Sequence, residues 1–183
     1  MVNAVTQMLS DYRPQDAAEV ADVARIRALL DAVDDPWTRA IPLHVTASAL
    51  IVHPASRRVL LRWHARQRAW LQVGGHADPG ETEPLAIALR EGAEESGLTD
   101  LAPWPHKDLV HAVIVPVPAK GDEPAHEHAD LRFSLATDAP DTVRPERPSA
   151  PLRWLTFAEA AELTAEVNLR ETLRRVERRL DPA

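Results

Sequence analysis

The sequence predicts a mixed α/β fold. Three observations carry that expectation. Apolar runs of strand length alternate along the chain with stretches of helical period. A single glycine-rich strand-to-helix junction, Gly74-Gly75, stands mid-chain. The chain is 183 residues long, 45% hydrophobic and 27% charged, which suits one domain with a substantial core.

The elements follow in order. Residues 1–14 show no clear period and read as an irregular lead-in. Residues 15–34 read as a helix, because Val20, Val23, Ile26, Leu30 and Val33 recur every three or four positions. That stripe must be buried, either on this chain's core or against a second copy, so a homodimer is one expectation. Pro36 ends the helix. Residues 43–53, LHVTASALIVH, read as a strand apolar on both faces and therefore central. A second strand covers 58–64, and a short one, 70–73, runs into Gly74-Gly75. Pro84 to Ser96 reads as a helix closed by Gly97, a residue type suited to the position after a helix. Residues 109–117 are a strand. A polar loop, 118–128, leads to a strand at 129–137. Residues 138–150 are proline-rich and charged and read as a loop. A strand at 151–155 precedes Thr156, a cap for a helix at 157–163, and a last helix covers about 167–180.

Composition excludes several classes of function. The chain has no cysteine, so disulfides, thiolate metal sites and a cysteine nucleophile are ruled out. Lys plus Arg is 21 against 28 Asp plus Glu, a net charge of −7, and long nucleic acid is not the expected partner. An acidic protein can still bind a phosphate compound where a divalent metal reverses the local sign. No window approaches the roughly 18 apolar residues of a membrane helix. The N-terminus lacks a basic start followed by an apolar run, so a cytoplasmic protein is expected.

Residues 74–98 read GGHADPGETEPLAIALREGAEESGL. At about 100° per residue, Leu85, Ala88, Leu89, Gly92 and Ala93 share one arc of the helix. Arg90, Glu91, Glu94 and Glu95 fill the opposite arc. Glu91 and Glu95 are four apart and Glu91 and Glu94 three apart, so these carboxylates can converge. Their mutual repulsion is relieved by a hard cation, and Mg²⁺ or Mn²⁺ prefers oxygen ligands. A plain solvated helix face is the alternative reading of the three glutamates alone.

The whole segment resembles the Nudix box of MutT-like hydrolases, G-x5-E-x7-R-E-U-x-E-E-x-G-U, where U is bulky and apolar. Gly75, Glu81, Arg90, Glu91, Glu94, Glu95, Gly97 and Leu98 match it. Two departures stand out. Eight residues rather than seven separate Glu81 from Arg90, and the first U position is Gly92. The run Arg68 to Gly75 is similar to the family's tryptophan-containing entry to the box, and Trp154 to its usual last strand. The resemblance implies an α/β/α sandwich with a mixed sheet. It divides a single domain into an N-terminal helical extension (1–42), a core (43–165) and a C-terminal helix (166–183).

The resemblance also implies Mg²⁺- or Mn²⁺-dependent hydrolysis of a small nucleoside diphosphate linked to another group X. Glu91, Glu94, Glu95 and the carbonyl of Gly75 would hold the metal, with Arg90 pairing to a box glutamate. The metal would screen phosphate charge and acidify a water, and a carboxylate would complete proton removal. Which glutamate serves as base, and what X is, both stay open. A binding or sensor module with a degenerate box is the rival reading. An isoprenyl diphosphate isomerase, which shares the fold, needs a cysteine this chain lacks.

Further candidates lie outside the box. His126, His128, Asp130 and Arg132 share one face of an extended chain, with Leu131 and Phe133 on the other. The two histidines can bind metal, act as a base, hold substrate phosphate or simply line a polar loop. His76 can reach a diphosphate or structure its loop. Trp70 can stack on a base or lie in the core. Arg62, with Arg66 and Arg68, can meet phosphate or be surface charge. His111, in an apolar strand, reads as a satisfied core histidine.

Overall fold

Residues 4–181 are described in a computed structural model of the chain. The elements are α1 (Ala4–Asp11), α2 (Ala17–Ala32), β1 (Leu43–His53), β2 (Arg58–His64), β3 (Ala69–Leu71), β4 (Val73–Gly75), α3 (Pro84–Ser96), β5 (Ala102–Pro103), β6 (His111–Val117), β7 (His126–Ala136), β8 (Leu152–Thr156), α4 (Phe157–Leu163) and α5 (Val167–Arg178). The strands form one mixed, eight-stranded sheet. Its axis is β1, which runs parallel to β7 from Leu43↔Glu127 to Val52↔Ala136. It pairs antiparallel with β2 and β4. The remaining pairs, β2 with β3 and β8 and β7 with β5 and β6, are antiparallel. A parallel neighbour needs a crossover rather than a hairpin, and the segment from β2 to β6, which includes α3, supplies it.

Strand alternation builds two cores. Val45, Ala47, Ala49 and Ile51 of β1 pack with Val5, Leu9, Val23, Ile26 and Ile87 from α1, α2 and α3. Leu50 and Val52, on the opposite face, pack with Phe157, Leu169, Leu173 and Val176 from α4 and α5. The result is an α/β/α sandwich. No described helix is long and apolar enough to cross a membrane.

Several expectations need correction. Residues 4–11, within the expected irregular lead-in, form α1, which buries Val5 and Leu9. Val5, Met8, Leu9 and Tyr12 do recur every three or four positions and pack on the core, but over barely two turns, a signal the expected lead-in overlooked. The first three residues of that lead-in lie outside the described residues. In α2, Val23 and Ile26 are buried, but Val20 is 55% exposed. Glu19 takes its place, because positions 19, 23, 26 and 30 form the inward arc. The stripe is met by this chain's own sheet. β1 is apolar on both faces only in its second half, since His44, Thr46 and Ser48 line one face of the first half. β7 begins at His126, so the two histidines expected in a loop stand in a strand. The box helix buries Ile87, Ala88, Gly92 and Ser96, an arc one position round from the expected one. α3 and α4 have the expected bounds, and Thr156 caps α4 in a reciprocal box with Glu159.

Candidate active site

The site is built where β4 meets α3. Gly74 has φ +145°, and a Cβ there would fall 2.3 Å from Cβ of Ser48. Glycine thus lets β4 lie hard against β1. A Cβ on Gly75 would fall 2.7 Å from Oε1 of Glu91, so a glycine here leaves the carboxylate in contact with the backbone. Glu95 Oε2 accepts the Gly74 N–H at 3.1 Å. Its Oε1 stands 3.0 Å from Nη1 of Arg62, whose Nη2 donates to Glu146 at 3.1 Å.

Arg90 organises the other half. Its Nε and Nη2 donate to Glu81 at 3.0 and 2.9 Å, its Nη1 to Glu91 at 3.1 Å and to Glu94 at 3.0 Å. Nη2 also donates to the His76 carbonyl at 2.9 Å. The extra residue between Glu81 and Arg90 is absorbed in the loop before α3. Glu81 accepts from the Asp78 N–H at 2.7 Å and returns its own N–H to the Asp78 carbonyl at 2.9 Å. Gly80, at φ +92° with open space around it, makes the outward turn.

These contacts set the charge states. Burial pushes the Glu95 carboxyl up to about 7, with Arg62 and the Gly74 N–H pulling it down. Burial also raises Glu91, against the pull of Arg90. Glu81 is held low by its bond to Arg90. Two converging carboxylates that resist ionisation, set against a backbone without Cβ atoms, form an oxygen donor set suited to a hard divalent cation. Glu94 is more exposed, with its carboxylate on Arg90.

The structure distributes the remaining candidates unevenly. Arg62 is no surface charge; it is buried between Glu95 and Glu146 and acts on the box. Trp70 is 9% exposed in the second core, edge-on to Trp63 and with the Arg153 guanidinium 4.6 Å from its ring centroid, so the base-stacking role is not supported. Arg66 pairs with Glu123 at 2.5 Å. His111 is buried, as expected, with Nδ1 2.9 Å from the Thr172 hydroxyl. Asp130 and Arg132 do share the face of His126 and His128. Asp130 accepts from Thr46, Ser48 and Arg132 at 3.1, 2.9 and 2.8 Å, and Arg132 reaches Glu166 at 2.5 Å. His76, His126 and His128 are brought together, and His44 joins them. A pocket of ≈ 170 Å³ lined by Ser48, Gly75, His76, His128 and Asp130 lies beside them.

His44 and Glu146 were not visible as site residues from the sequence. His44 carried a signal, since His44, Thr46 and Ser48 alternate as polar residues at the start of an otherwise apolar strand. Glu146 lies in a charged loop whose path the sequence does not fix.

A family model described as NUDIX domain matches residues 42–176. Two strains of Mycobacterium tuberculosis (CDC 1551 / Oshkosh and H37Rv) carry a protein named "Putative 8-oxo-dGTP diphosphatase 3". It is 34% identical over 101 residues, which is 55% of this chain and 43% of that protein. The chain therefore spans less than half the length of the curated relatives it matches. Among solved structures, a C. elegans Ap4A hydrolase binary complex superposes with TM-score 0.59 and 22% identity, over 73% of this chain and 95% of that one. The E. coli dihydroneopterin triphosphate pyrophosphohydrolase superposes with TM-score 0.50 and 22% identity, over 72% and 92%. At these identities the likeness is one of fold.

Proposed function

The chain belongs to the Nudix family, and from that premise we propose that it is a hydrolase cleaving a diphosphate linkage in a small nucleoside diphosphate joined to another group. The observation that carries this reading is the convergence of Glu91 and Glu95 on the Gly74–Gly75 backbone, each held by its own arginine. A degenerate box has no use for that arrangement.

In this reading Glu91, Glu94, Glu95 and the Gly75 carbonyl would hold Mg²⁺ or Mn²⁺. When bound, the ion supplies neutralisation of diphosphate charge and a water acidified for attack on phosphorus. The chain's own residues do the rest. Arg90 fixes Glu91 and Glu94 and ties the junction down through the His76 carbonyl. Arg62 and the Gly74 N–H fix Glu95. A box carboxylate takes the proton from the attacking water.

Similar proteins carry names pointing to 8-oxo-dGTP, Ap4A and dihydroneopterin triphosphate. These share a run of linked phosphates and differ in what it bears, which supports the linkage as the reacting part. The test is a panel of these compounds and sugar nucleotides, with Mg²⁺ and products identified by mass spectrometry. Turnover of at least one compound is expected. Glu91→Gln and Glu95→Gln should each lower kcat at least ~10²-fold, the scale of losing a central electrostatic group. Tight binding across the panel without turnover would instead support the binding module, and wild-type rates in both variants would sink the assignment.

A further inference from the structure

Four histidines meet on the sheet face beside the ≈ 170 Å³ pocket. His44 comes from β1, His126 and His128 from β7, and His76 is the first residue after β4. His44 and His128 are direct partners across the parallel β1–β7 pair. His44 lies 5.1, 5.4 and 5.0 Å, centroid to centroid, from His76, His126 and His128. His128 lies 4.8 Å from His76 and 5.1 Å from His126. One ring nitrogen from each of His44, His76 and His128 lies within 4.8 Å of the other two.

We propose that His44, His76 and His128, with His126 beside them, bind one divalent transition-metal ion of the Zn²⁺ type at a site separate from the carboxylate box. The proposal does not depend on the hydrolase reading.

Distances come first. Imidazole nitrogens bind Zn²⁺ at about 2.0–2.1 Å, so neighbouring corners of a tetrahedron stand roughly 3.3–3.4 Å apart. Nε2 of His44 is 3.1 Å from Nε2 of His76, and Nε2 of His126 is 3.2 Å from Nε2 of His128. Both separations match such an edge, and the set whose nitrogens all fall within 4.8 Å of one another is His44, His76 and His128.

Tautomers come next. Nδ1 of His44 faces the Ile41 carbonyl at 3.1 Å, and Nδ1 of His126 faces the Pro124 carbonyl at 3.0 Å. A carbonyl can only accept, so both Nδ1 atoms carry the proton. That leaves the Nε2 lone pairs of His44 and His126 turned into the cluster. Metal-bound histidines are oriented in the same manner, with the second nitrogen donating to a carbonyl or carboxylate. Charge agrees with this. Burial disfavours the charged form of His44, His76 and His128. Those three rings thus favour the neutral form that a metal ligand requires. The Glu123 carboxylate stands 3.6 Å from Nε2 of His126 at the rim, where it also carries Arg66.

Ligand chemistry sorts the two sites. Imidazole nitrogen suits Zn²⁺, Cu²⁺, Ni²⁺ or Co²⁺, while the box carboxylates suit Mg²⁺ and Mn²⁺. The sites also share a backbone. His76 directly follows Gly75, and its carbonyl holds Arg90. An ion on His76 would pin the segment from which the box is hung.

The rival is a set of plain N–H···N bonds, with His76 and His128 protonated at Nε2. Co²⁺ titration of the metal-stripped, full-length protein separates the two. One equivalent should produce the strong visible absorption of tetrahedral Co²⁺. The band should survive excess Mg²⁺ and the Glu91→Gln/Glu95→Gln double substitution, and should disappear on adding one equivalent of Zn²⁺. His44→Ala and His128→Ala should each weaken Zn²⁺ binding more than ~10²-fold, beyond the loss expected for an outer-shell partner, with the circular dichroism of the folded protein retained. If a variant does not fold, the wild-type spectrum decides alone. A weak six-coordinate spectrum cleared by excess Mg²⁺ or by the box substitutions would overturn the proposal. So would a band that persists in both histidine variants.

Discussion

Gly92 stands where the box pattern carries a bulky apolar residue, and its surroundings explain the exchange. A Cβ there would lie 3.1 Å from Leu101 Cδ1, 3.4 Å from Leu135 Cδ1 and 3.8 Å from Ile51 Cδ1. Those three side chains already fill the space that the larger residue would take. Glycine inside a helix costs about 1 kcal/mol relative to alanine. Gly92→Ala should therefore be close to neutral, because the helical gain opposes a contact that Leu101 must relieve by a few tenths of an ångström. Gly92→Leu restores the pattern yet should destabilise by about 1–3 kcal/mol, the usual cost of overpacking. Urea denaturation of both variants measures this, and a Gly92→Leu protein as stable as wild type would contradict it. The same scale shows what single residues disclose. Arg90, Glu91 and Glu94 were legible because their spacing lies on about one helix turn, and Glu81, in the loop before α3, only through the resemblance to the box. Arg62 was a candidate for phosphate, but its hold on the box was not legible, because both its partners are brought to it by tertiary structure, Glu95 from α3 and Glu146 from a distant loop.

Secondary-structure elements were legible where one physical signal dominated. α3 was bounded by Pro84 and a left-handed Gly97, and α4 by its capping threonine. β1 was marked by its long apolar run. The N-terminal elements were less so, because a charged pair does part of the work of an apolar stripe there. Glu19 of α2 and Arg175 of α5 are 1% and 2% exposed, and they meet through two bonds of 2.8 and 2.9 Å. Arg175 also donates to the Val110 carbonyl at 3.1 Å and to Glu171 at 2.7 Å. Tyr12, between α1 and α2, donates to Glu19. No apolar template finds an inward glutamate whose partner lies at the other end of the chain. Deleting residues 1–36 would take Val5, Leu9, Val23 and Ile26 out of the first core, uncover the sheet residues packed against them, and strand Arg175 without its main partner. Breaking a buried pair on one side costs about 3–5 kcal/mol. The truncated protein should therefore melt well below the full chain in calorimetry while keeping the box residues, all of which lie beyond the deletion. An unchanged melting temperature would mean that α1 and α2 are mere appendages.

Over the whole molecule, buried titratable groups tie stability to pH in two separate windows. His111 is pushed down to about 4, chiefly by burial, with Arg175 and Arg132 adding repulsion. Its Nδ1–H donates to Thr172, whose own hydroxyl donates to the Asn168 carbonyl. The unfolded histidine takes up a proton near pH 6.5, while the folded one stays neutral down to about pH 4. Between those values the unfolded histidine binds the proton and the folded one does not, so the contribution of His111 to stability must fall as the pH falls through the window. Glu19 behaves as a paired carboxylate. Burial raises it, but the bonds from Arg175, Tyr12 and the Gln15 N–H outweigh burial and leave it lowered. Its contribution is present above the unfolded value of about 4.3 and is lost as the pH falls below that through its folded value. Acid should thus weaken the protein first through His111 and later through Glu19. His111→Asn tests the first window, because asparagine can keep a donor toward Thr172 but cannot take up a proton. Melting temperatures taken in chelator from pH 7 to pH 5 should fall less steeply in His111→Asn than in the wild type. Below about pH 4 the two curves should run parallel, since the Glu19–Arg175 clamp is common to both. Equal slopes across the upper window would show that His111 shares its protonation state with the unfolded chain and adds nothing to the acid sensitivity of the fold.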